Sequence, residues 1–263
     1  MSLFDTHAHL DEEAFQNNQA DLVQRALQAG VTTIITVATT LASSRRCLEI
    51  AGQFERVFPS VGIQPNYCAE AEENDWDQVV QLAQSAEVVA LGETGLDRYW
   101  DYTPFAQQQD YFDRHLRLSQ QLQLPFIVHM RDCGDDILEM LREARQRGPL
   151  KGVMHSFTGD GALARECLEL GLYISFAGMV TFKKSTDLRA VAADIPTDRL
   201  LLETDAPYLS PHPQRSQRPN EPALLVHTAT CLAEVREVPY ETLVQQTTAN
   251  ACSLFQRVSQ PAG

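Results

Sequence analysis

Short apolar runs alternate with longer amphipathic stretches along most of the chain. The short runs are rich in β-branched and aromatic residues and recur about every 30 residues, and each is followed by apolar positions spaced as on one face of a helix. This alternation is typical of α/β proteins with a parallel sheet, and eight strands close such a sheet into a (β/α)8 TIM barrel. The eight predicted strands begin near Leu3, Thr32, Val57, Val88, Pro125, Lys151, Tyr173 and Leu200.

Glycine and proline residues mark several predicted boundaries. Gly30, Gly148 and Gly171 each follow an amphipathic stretch and precede a predicted strand, where a left-handed residue commonly ends a helix. Thr103 and Pro104 stand where an N-cap and the first helical residue are expected, ahead of a long amphipathic run.

The length and composition favour a single domain over residues 1–263. The chain is 44% hydrophobic and 21% charged, which is typical of a protein with a sizeable core. Barrels of this class often use about 250 residues as one unit, and no linker rich in Gly, Ser or Pro interrupts the sequence. Beyond the eighth strand, residues 222–235 and 240–258 predict two closing helices.

No segment predicts secretion or membrane insertion. The first residues lack a basic stretch followed by an apolar one, and no later stretch approaches about 18 uncharged apolar residues. The six cysteines are scattered without a CxxC pair, which fits reduced thiols. We therefore expect a cytoplasmic protein with no membrane partner, and no obligate protein partner is evident.

The formal net charge of −14 weighs against nucleic-acid binding through a broad basic surface. Such binding draws its affinity from many Lys and Arg contacts to phosphates. This objection weakens where bound metal ions and a few arginines supply positive charge locally.

Ionisable residues are concentrated near the C-terminal ends of five predicted strands. In a barrel those ends meet on the face that carries the active site. Four imidazoles and two carboxylates there suffice for two metal ions with open positions for water and substrate, which explains them more simply than six unrelated structural roles. The predicted ligands are His7, His9, Glu93, His129, His155 and Asp205.

Each of these motifs has a structural alternative when it is taken alone. His7 and His9 share one side of a strand and could bind one cation, but two ordinary polar residues at a strand exit would have the same spacing. Glu93 stands between Gly92 and Gly95, where a carboxylate could bridge two metals or cap a turn.

The later strands raise the same alternatives. A lone histidine that ends an apolar run is more often a core residue than a ligand, but His129 and His155 end adjacent strands, and imidazole suits transition metals. Glu203 and Asp205 share a side of the eighth strand, where burying a carboxylate without a cation costs several kcal/mol. A capping role for Asp205 in a turn would leave Glu203 unexplained.

In this order and spacing, the motifs resemble those of the TatD family of metal-dependent deoxyribonucleases, within the wider amidohydrolase-like barrels. The resemblance extends from Leu3 to Phe255 and is carried by FDTHAHLD, GETGLD, HSFTG, LLLETDAPYLSP and RPNEP. It implies a hydrolase that cleaves phosphodiester bonds in DNA, as an exonuclease on single strands or ends. It also implies two divalent metal ions, whose identity is left open among Mg²⁺, Zn²⁺ and Mn²⁺.

The resemblance also divides the ligands between the two ions. The implied groups are His7, His9 and Asp205 on one ion, His129 and His155 on the second, and Glu93 bridging them. Glu203 is left to support a ligand, to hold a further metal or to contact substrate. One position departs from the family pattern, because Gln64 stands where a histidine is usual. Its amide can donate a hydrogen bond to a phosphate oxygen but cannot carry a proton.

We expect a pair of cations to lower the pKa of a bound water and to clamp the attacking and leaving oxygens. Asp205 is the candidate to accept the proton of that water while remaining a ligand. Arg131 and Arg98 are candidates to neutralise the phosphate, with a solvated surface charge as the alternative for each. The aromatic residues Tyr99, Trp100 and Tyr102 would either stack an unpaired base or pack a loop onto the barrel rim.

Two other functions compete with a nuclease. A small-molecule amidohydrolase or lactonase would use the same barrel, since a fold does not determine its substrate. Against it, several such relatives bridge their metals with a modified lysine, whereas this chain has Glu93 and no lysine in the fourth strand. A metal-binding scaffold without catalysis is the second competitor, and metal content without turnover would distinguish it.

Overall fold

Eight parallel strands form one sheet in which neighbours follow chain order, in a computed structural model that describes residues 2–259. The strands are β1 (Leu3–Ala8), β2 (Val31–Thr36), β3 (Val57–Val61), β4 (Ala90–Asp97), β5 (Phe126–Arg131), β6 (Gly152–Met154), β7 (Tyr173–Phe176) and β8 (Leu200–Leu202). All eight predicted strands are therefore confirmed.

The sheet closes through the segment that follows β8. Ala8 and Ala206 form a parallel bridge, the Asp205 N–H donates to His7 O at 2.9 Å, and the His9 N–H donates to Ala206 O at 2.7 Å. The predicted (β/α)8 TIM barrel is confirmed, and its closure brings the last strand's polar motif against that of the first.

Nine α-helices alternate with the strands or follow them in the described part of the chain. They are α1 (Gln19–Gln28), α2 (Leu41–Ala51), α3 (Asp75–Ala83), α4 (Phe105–Leu122), α5 (Gly134–Arg147), α6 (Gly161–Glu169), α7 (Thr186–Asp194), α8 (Leu225–Val235) and α9 (Tyr240–Leu254). The two predicted closing helices correspond to α8 and α9. No helix within residues 2–259 combines the length and the apolar character needed to cross a membrane.

The part of the barrel interior nearer the N-terminal ends of the strands is filled by apolar side chains that contact each other across its axis. Ile127, Val153 and Leu201 belong to this cluster, which Phe255 at the end of α9 also joins. Side chains alternate along a strand, so the residues two positions later, in β5, just after β6 and just after β8, face the same interior. Those residues are polar, and the barrel therefore changes from an apolar floor to a polar mouth.

Three local expectations from the sequence were inaccurate. Gly30 and Gly171 have positive φ angles of 87° and 98°, but Gly148 is extended with φ 160° and ψ 179°. Pro104 is the N-cap of α4 and Phe105 is its first residue, one position later than expected. The hydroxyl of Thr103 is used elsewhere, because it donates to the Asn66 carbonyl at 3.1 Å.

Candidate metal centre

A cavity of about 750 Å³ opens at the C-terminal ends of the strands. Five of the six residues predicted as ligands line it, and His7 lies buried directly beneath. The five lining residues are His9, Glu93, His129, His155 and Asp205. The barrel thus brings side chains from five separate strand ends into one polar cluster.

The first group of donors consists of His7, His9 and Asp205. The two Nε2 atoms lie 3.1 Å apart, and Asp205 Oδ1 lies 3.7 Å from His7 Nε2 and 3.5 Å from His9 Nε2. The Nδ1–H of His9 donates to Val37 O at 2.9 Å, so Nε2 is the atom that faces the group, and it offers a lone pair when the ring gives up its second proton. His7 Nδ1 is buried with no hydrogen-bond partner among residues 2–259.

These distances fit a divalent cation. Donor atoms that each lie about 2.1 Å from a tetrahedral metal are about 3.4 Å from one another, which is close to the separations observed here. Two imidazole lone pairs and a carboxylate oxygen that face one buried point are otherwise unfavourable, since nothing but a proton or a cation can satisfy all three. The donor set therefore fits a metal ion.

Glu93 presents its two carboxylate oxygens to different pairs of imidazoles. Oε2 lies 3.7 Å from His7 Nε2 and 3.6 Å from His9 Nε2. Oε1 lies 2.9 Å from His129 Nδ1 and 3.0 Å from His155 Nε2. One carboxylate thus stands between the first group of donors and a second one.

Glycines in and beside β4 allow this approach. Gly95 pairs with His129 in the sheet and has a φ angle of 127°, a conformation that side chains disfavour. A Cβ at this position would lie only 2.1 Å from His129 O. Only glycine fits here without displacing the backbone of a predicted ligand.

Carboxylates behind the cluster contact the outer nitrogens of two histidines. His129 Nε2–H donates to Asp97 Oδ2 at 2.9 Å, while Nδ1 faces Glu93. His155 Nδ1 lies 3.4 Å from Glu203 Oε1, while Nε2 faces Glu93. Such partners fix the orientation of a ligating ring and raise its basicity.

The electrostatics of the cluster favour bound positive charge. Burial acts to lower the pKa of His9, but the adjacent Asp205 and Glu93 carboxylates outweigh it and raise that pKa to about 9. Burial would raise the pKa of Glu93, but His155 and His129 hold it well below its usual range. The pKa of His7 falls well below 6.5 because of burial and the neighbouring His155 and His9.

The structure separates the four residues that were predicted to contact substrate. Gln64 and Arg131 line the cavity. Gln64 Oε1 accepts from Asn66 N–H at 2.8 Å, so its Nε2 amide is the group left to donate to a ligand. Arg98 and Glu203 are not among the residues lining the cavity.

Each of these two has a different environment from the one expected. Arg98 is paired with Asp136 through two hydrogen bonds of 2.8 and 2.7 Å, and its guanidinium lies over the Phe105 ring. Glu203 is completely buried behind His155, where it also accepts the Ser156 N–H. Glu203 is thus placed to orient a histidine, and Arg98 to hold α5 against the loop after β4.

Two buried aspartates were missed in the sequence. Asp97 accepts from His129 and also from Asn66 Nδ2 at 3.1 Å, and these groups outweigh burial and lower its pKa to about 2. Asp5 accepts from Thr204 N–H at 2.9 Å and from Thr204 Oγ1–H at 2.6 Å, and burial raises its pKa to about 7. Both belong to the strand-end motifs at even spacings from a predicted ligand, since Asp97 follows Glu93 by four positions and Asp5 precedes His7 by two. That spacing was the signal available in the sequence.

Known proteins resemble this chain over nearly its whole length. The family model described as TatD related DNase matches residues 4–256. An uncharacterized metal-dependent hydrolase of Bacillus subtilis, YabD, is 37% identical over 96% of this chain and 98% of its own length. A Cronobacter turicensis protein named 3'-5' ssDNA/RNA exonuclease TatD is 35% identical over 99% of this chain and its full length.

The fold of this chain also matches a solved structure. The crystal structure of YjjV, a TatD homolog from Escherichia coli K12, superposes with a TM-score of 0.90 and 32% identity. The match covers 97% of this chain and 98% of the other. The resemblance therefore includes the barrel and every strand end that contributes to the cluster.

Proposed function

The chain belongs to the TatD-related DNase family of metal-dependent hydrolases, and we propose that it removes nucleotides from the ends of single-stranded DNA. The observation that carries the proposal is the position of Glu93. Its two oxygens face separate imidazole pairs, His7 with His9 and His129 with His155, as a ligand shared by two metal ions would. Two-metal sites are suited to in-line displacement at phosphorus.

The donor set favours some metals over others. Four imidazoles and two carboxylates suit Zn²⁺ better than Mg²⁺ or Mn²⁺, which prefer carboxylates, carbonyls and water. When bound, such a pair of ions supplies a water of lowered pKa and positive charge beside the phosphate. We therefore propose two ions, with Zn²⁺ as the first choice and Mn²⁺ and Mg²⁺ as the alternatives.

The side chains in and behind the cavity are assigned the remaining roles, which are proton transfer, phosphate binding and orientation of the histidine rings. Asp205 faces the cavity and the first donor group, so it is the group we assign to accept the proton of the attacking water. Arg131 lines the cavity at the end of β5, and we assign to it the contact with a phosphate oxygen. We assign the orientation of the two outer rings to Asp97, which accepts from His129, and to Glu203, whose Oε1 lies 3.4 Å from His155 Nδ1.

Similarity to the Cronobacter relative supports the choice of substrate. That protein is named as an exonuclease on single-stranded DNA and RNA with 3'-5' polarity, and the alignment covers 99% of this chain and the full length of the relative. We propose the same polarity here. The cavity volume of about 750 Å³ supports a strand end as the substrate, because it lies in the range of sites that enclose one small ligand.

The test is digestion of an end-labelled single-stranded oligonucleotide by protein that has been stripped with chelator and resupplied with Zn²⁺, Mn²⁺ or Mg²⁺. We expect a metal-restored ladder of products that shortens from the 3' end. Asp205→Asn should lower the rate roughly 100- to 10,000-fold, the range for loss of a general base. Asp198→Asn is the matched control, because Asp198 is 74% exposed and precedes β8 at the opposite end of the barrel.

Metal analysis of the same samples separates the alternatives. Protein that binds two equivalents of metal and cleaves no oligonucleotide would contradict the proposal. Hydrolysis of lactones or cyclic amides by that protein would favour the small-molecule alternative, and no turnover on any of these substrates would favour a scaffold. An Asp205→Asn protein as active as the Asp198→Asn control would contradict the role of Asp205.

A further inference from the structure

Exposed aromatic side chains gather at one place on the molecule. Among residues 2–259, six large apolar side chains are exposed, and four of them line the cavity while a fifth, Tyr99, adjoins it. The four lining residues are Tyr67, Trp100, Tyr102 and Tyr208. Exposed apolar groups that cluster around a cavity indicate a binding surface rather than scattered surface residues.

Three of these residues form a continuous surface, which we call the aromatic wall: Tyr99, Trp100 and Tyr102. They are 54%, 41% and 60% exposed. The Trp100 and Tyr102 rings are stacked with centroids 5.2 Å apart and planes 13° apart, and Tyr99 meets Trp100 edge-on at 4.8 Å. The Arg131 guanidinium lies 3.6 Å from the centroid of the Tyr99 ring.

Groups other than the aromatic rings hold this loop in place. Asp97 Oδ1 accepts the backbone N–H of Tyr99 at 2.8 Å and that of Trp100 at 3.0 Å. At the other end of the loop, Thr103 donates to Asn66 O. The loop is thus held at both ends by hydrogen bonds that do not involve the rings, so the rings are not needed to pack it onto the barrel. Aromatic side chains on a backbone that is already held bind at a low entropic cost.

The charges around the cavity point to recognition of bases rather than of many phosphates. Arg131 is the one Lys or Arg among the lining residues, whereas Glu12 and Glu70 add negative charge at the mouth. A long nucleic-acid backbone would gain little from this surface, because phosphate binding depends on the number of cations in contact. Aromatic stacking does not depend on that charge.

We propose that the aromatic wall is the platform on which an unpaired base at a strand end stacks, with Arg131 on the adjoining phosphate. The inference rests on the proposed nuclease function and adds the element that recognises single strands. Asp97 joins the wall to the metal cluster, since one oxygen holds the Trp100 backbone and the other accepts from His129. A base on the wall therefore lies beside the catalytic cavity, and a paired base cannot reach the wall before its duplex end opens.

A binding measurement tests the wall without catalysis. The chain has two tryptophans, and Trp76 packs 4.7 Å from His115, away from the cavity. In metal-loaded Trp76→Phe protein, Trp100 alone reports by its fluorescence. We expect saturable quenching by a phosphorothioate tetrathymidylate, whose linkages resist hydrolysis, and roughly 5- to 150-fold weaker binding of the same backbone without bases. Binding with no change in Trp100 fluorescence, or with equal affinity for the abasic backbone, would overturn the inference.

A kinetic comparison supplies a second readout. The wild-type KM should rise roughly 5- to 150-fold when the terminal bases of an oligonucleotide are removed. Trp100→Ala should raise the KM for the intact oligonucleotide to a similar extent and abolish the difference between the two substrates, while Trp100→Phe should keep most of it. Leu27→Ala is the matched control, since Leu27 is an exposed apolar side chain outside the cavity lining.

The two proposals fail in different ways. If oligonucleotides are cleaved but Trp100→Ala still distinguishes the two substrates, the platform is refuted and the nuclease stands. If no oligonucleotide is cleaved, the nuclease is refuted, and the fluorescence titration alone decides whether the wall binds bases.

Discussion

Replacing Gly95 by alanine should damage the metal centre through the backbone alone. The new Cβ would lie 2.1 Å from His129 O and 3.0 Å from His129 N and C, whereas real Cβ contacts essentially never fall below 3.0 Å. The His129 carbonyl must therefore move by about 0.9 Å, or β4 must shift by as much. A displacement of about 1 Å in an active site can cost about 100-fold in rate.

The backbone conformation adds a cost in stability. Gly95 has a φ angle of 127°, which a residue with a Cβ rarely adopts, and such strain typically costs roughly 1–3 kcal/mol. We expect Gly95→Ala to lower the free energy of unfolding of the metal-free protein by at least that amount. The metal-loaded protein should lose about 100-fold in kcat and bind metal more weakly, because His129 leaves its position beside Glu93.

The assay compares Gly95→Ala with Gly161→Ala. A Cβ on Gly161 meets no atom within 4 Å, so this variant controls for the gain of a methyl group without a clash. Urea unfolding, metal content and the rate of oligonucleotide shortening would be measured for both. A Gly95→Ala protein that matched Gly161→Ala in metal content and rate would refute the argument that glycine is needed to seat His129.

Three further results are expected. Asp97→Asn removes the carboxylate that accepts from His129 and should lower metal affinity or activity roughly 10- to 100-fold, as measured by competition with a chelator. The pKa of the buried, neutral His115 is lowered from 6.5 to about 4, chiefly by desolvation, so its contribution to stability is complete above pH 6.5 and is lost as the pH falls towards 4. Between pH 7 and 4, the free energy of unfolding of His115→Gln in urea should therefore fall by up to about 3 kcal/mol less than that of the wild type. Equal decreases in the two proteins would contradict this. Because Arg131 is the one Lys or Arg lining the cavity, binding of the phosphorothioate tetrathymidylate should weaken with a log–log salt slope of about −1 or shallower, and a slope near −2, as expected when all three phosphates meet cations, would show a basic surface elsewhere.

The barrel and the meeting of the predicted ligands could be predicted because both depend on periodicity. In a parallel barrel, the polar residues of the active-site face follow the C-terminal ends of the strands. A histidine that ends an apolar run therefore indicates both a strand and its direction. His129 and His155 are 26 positions apart in the sequence, yet both approach the same oxygen of Glu93. Strand order alone determines that meeting.

The groups that support the ligands could not be predicted in the same way. Asp97 and His129 interact across neighbouring strands through a single hydrogen bond, and the position of an aspartate in a motif does not show which nitrogen it will accept from. Arg98 illustrates the opposite error. It follows a strand at the correct end of the barrel, but its partner Asp136 on α5 holds it outside the cavity lining. Pairings of this kind depend on the distance between side chains that loops and helices bring together.

The net charge of −14 is the strongest objection to a nucleic-acid substrate. The charges that line the cavity suggest how such a substrate is compatible with this net charge. Much of the charge at the mouth belongs to the carboxylates of the donor cluster, which bound cations would neutralise or reverse. Positive charge at the cavity would then come from the bound cations and from Arg131, which lies against the aromatic wall. A surface of this kind attracts one phosphate and stacks one base, but it lacks a row of basic residues that would contact successive phosphates of a duplex. The same charge pattern that excludes nonspecific binding along DNA therefore favours action at a single-stranded end.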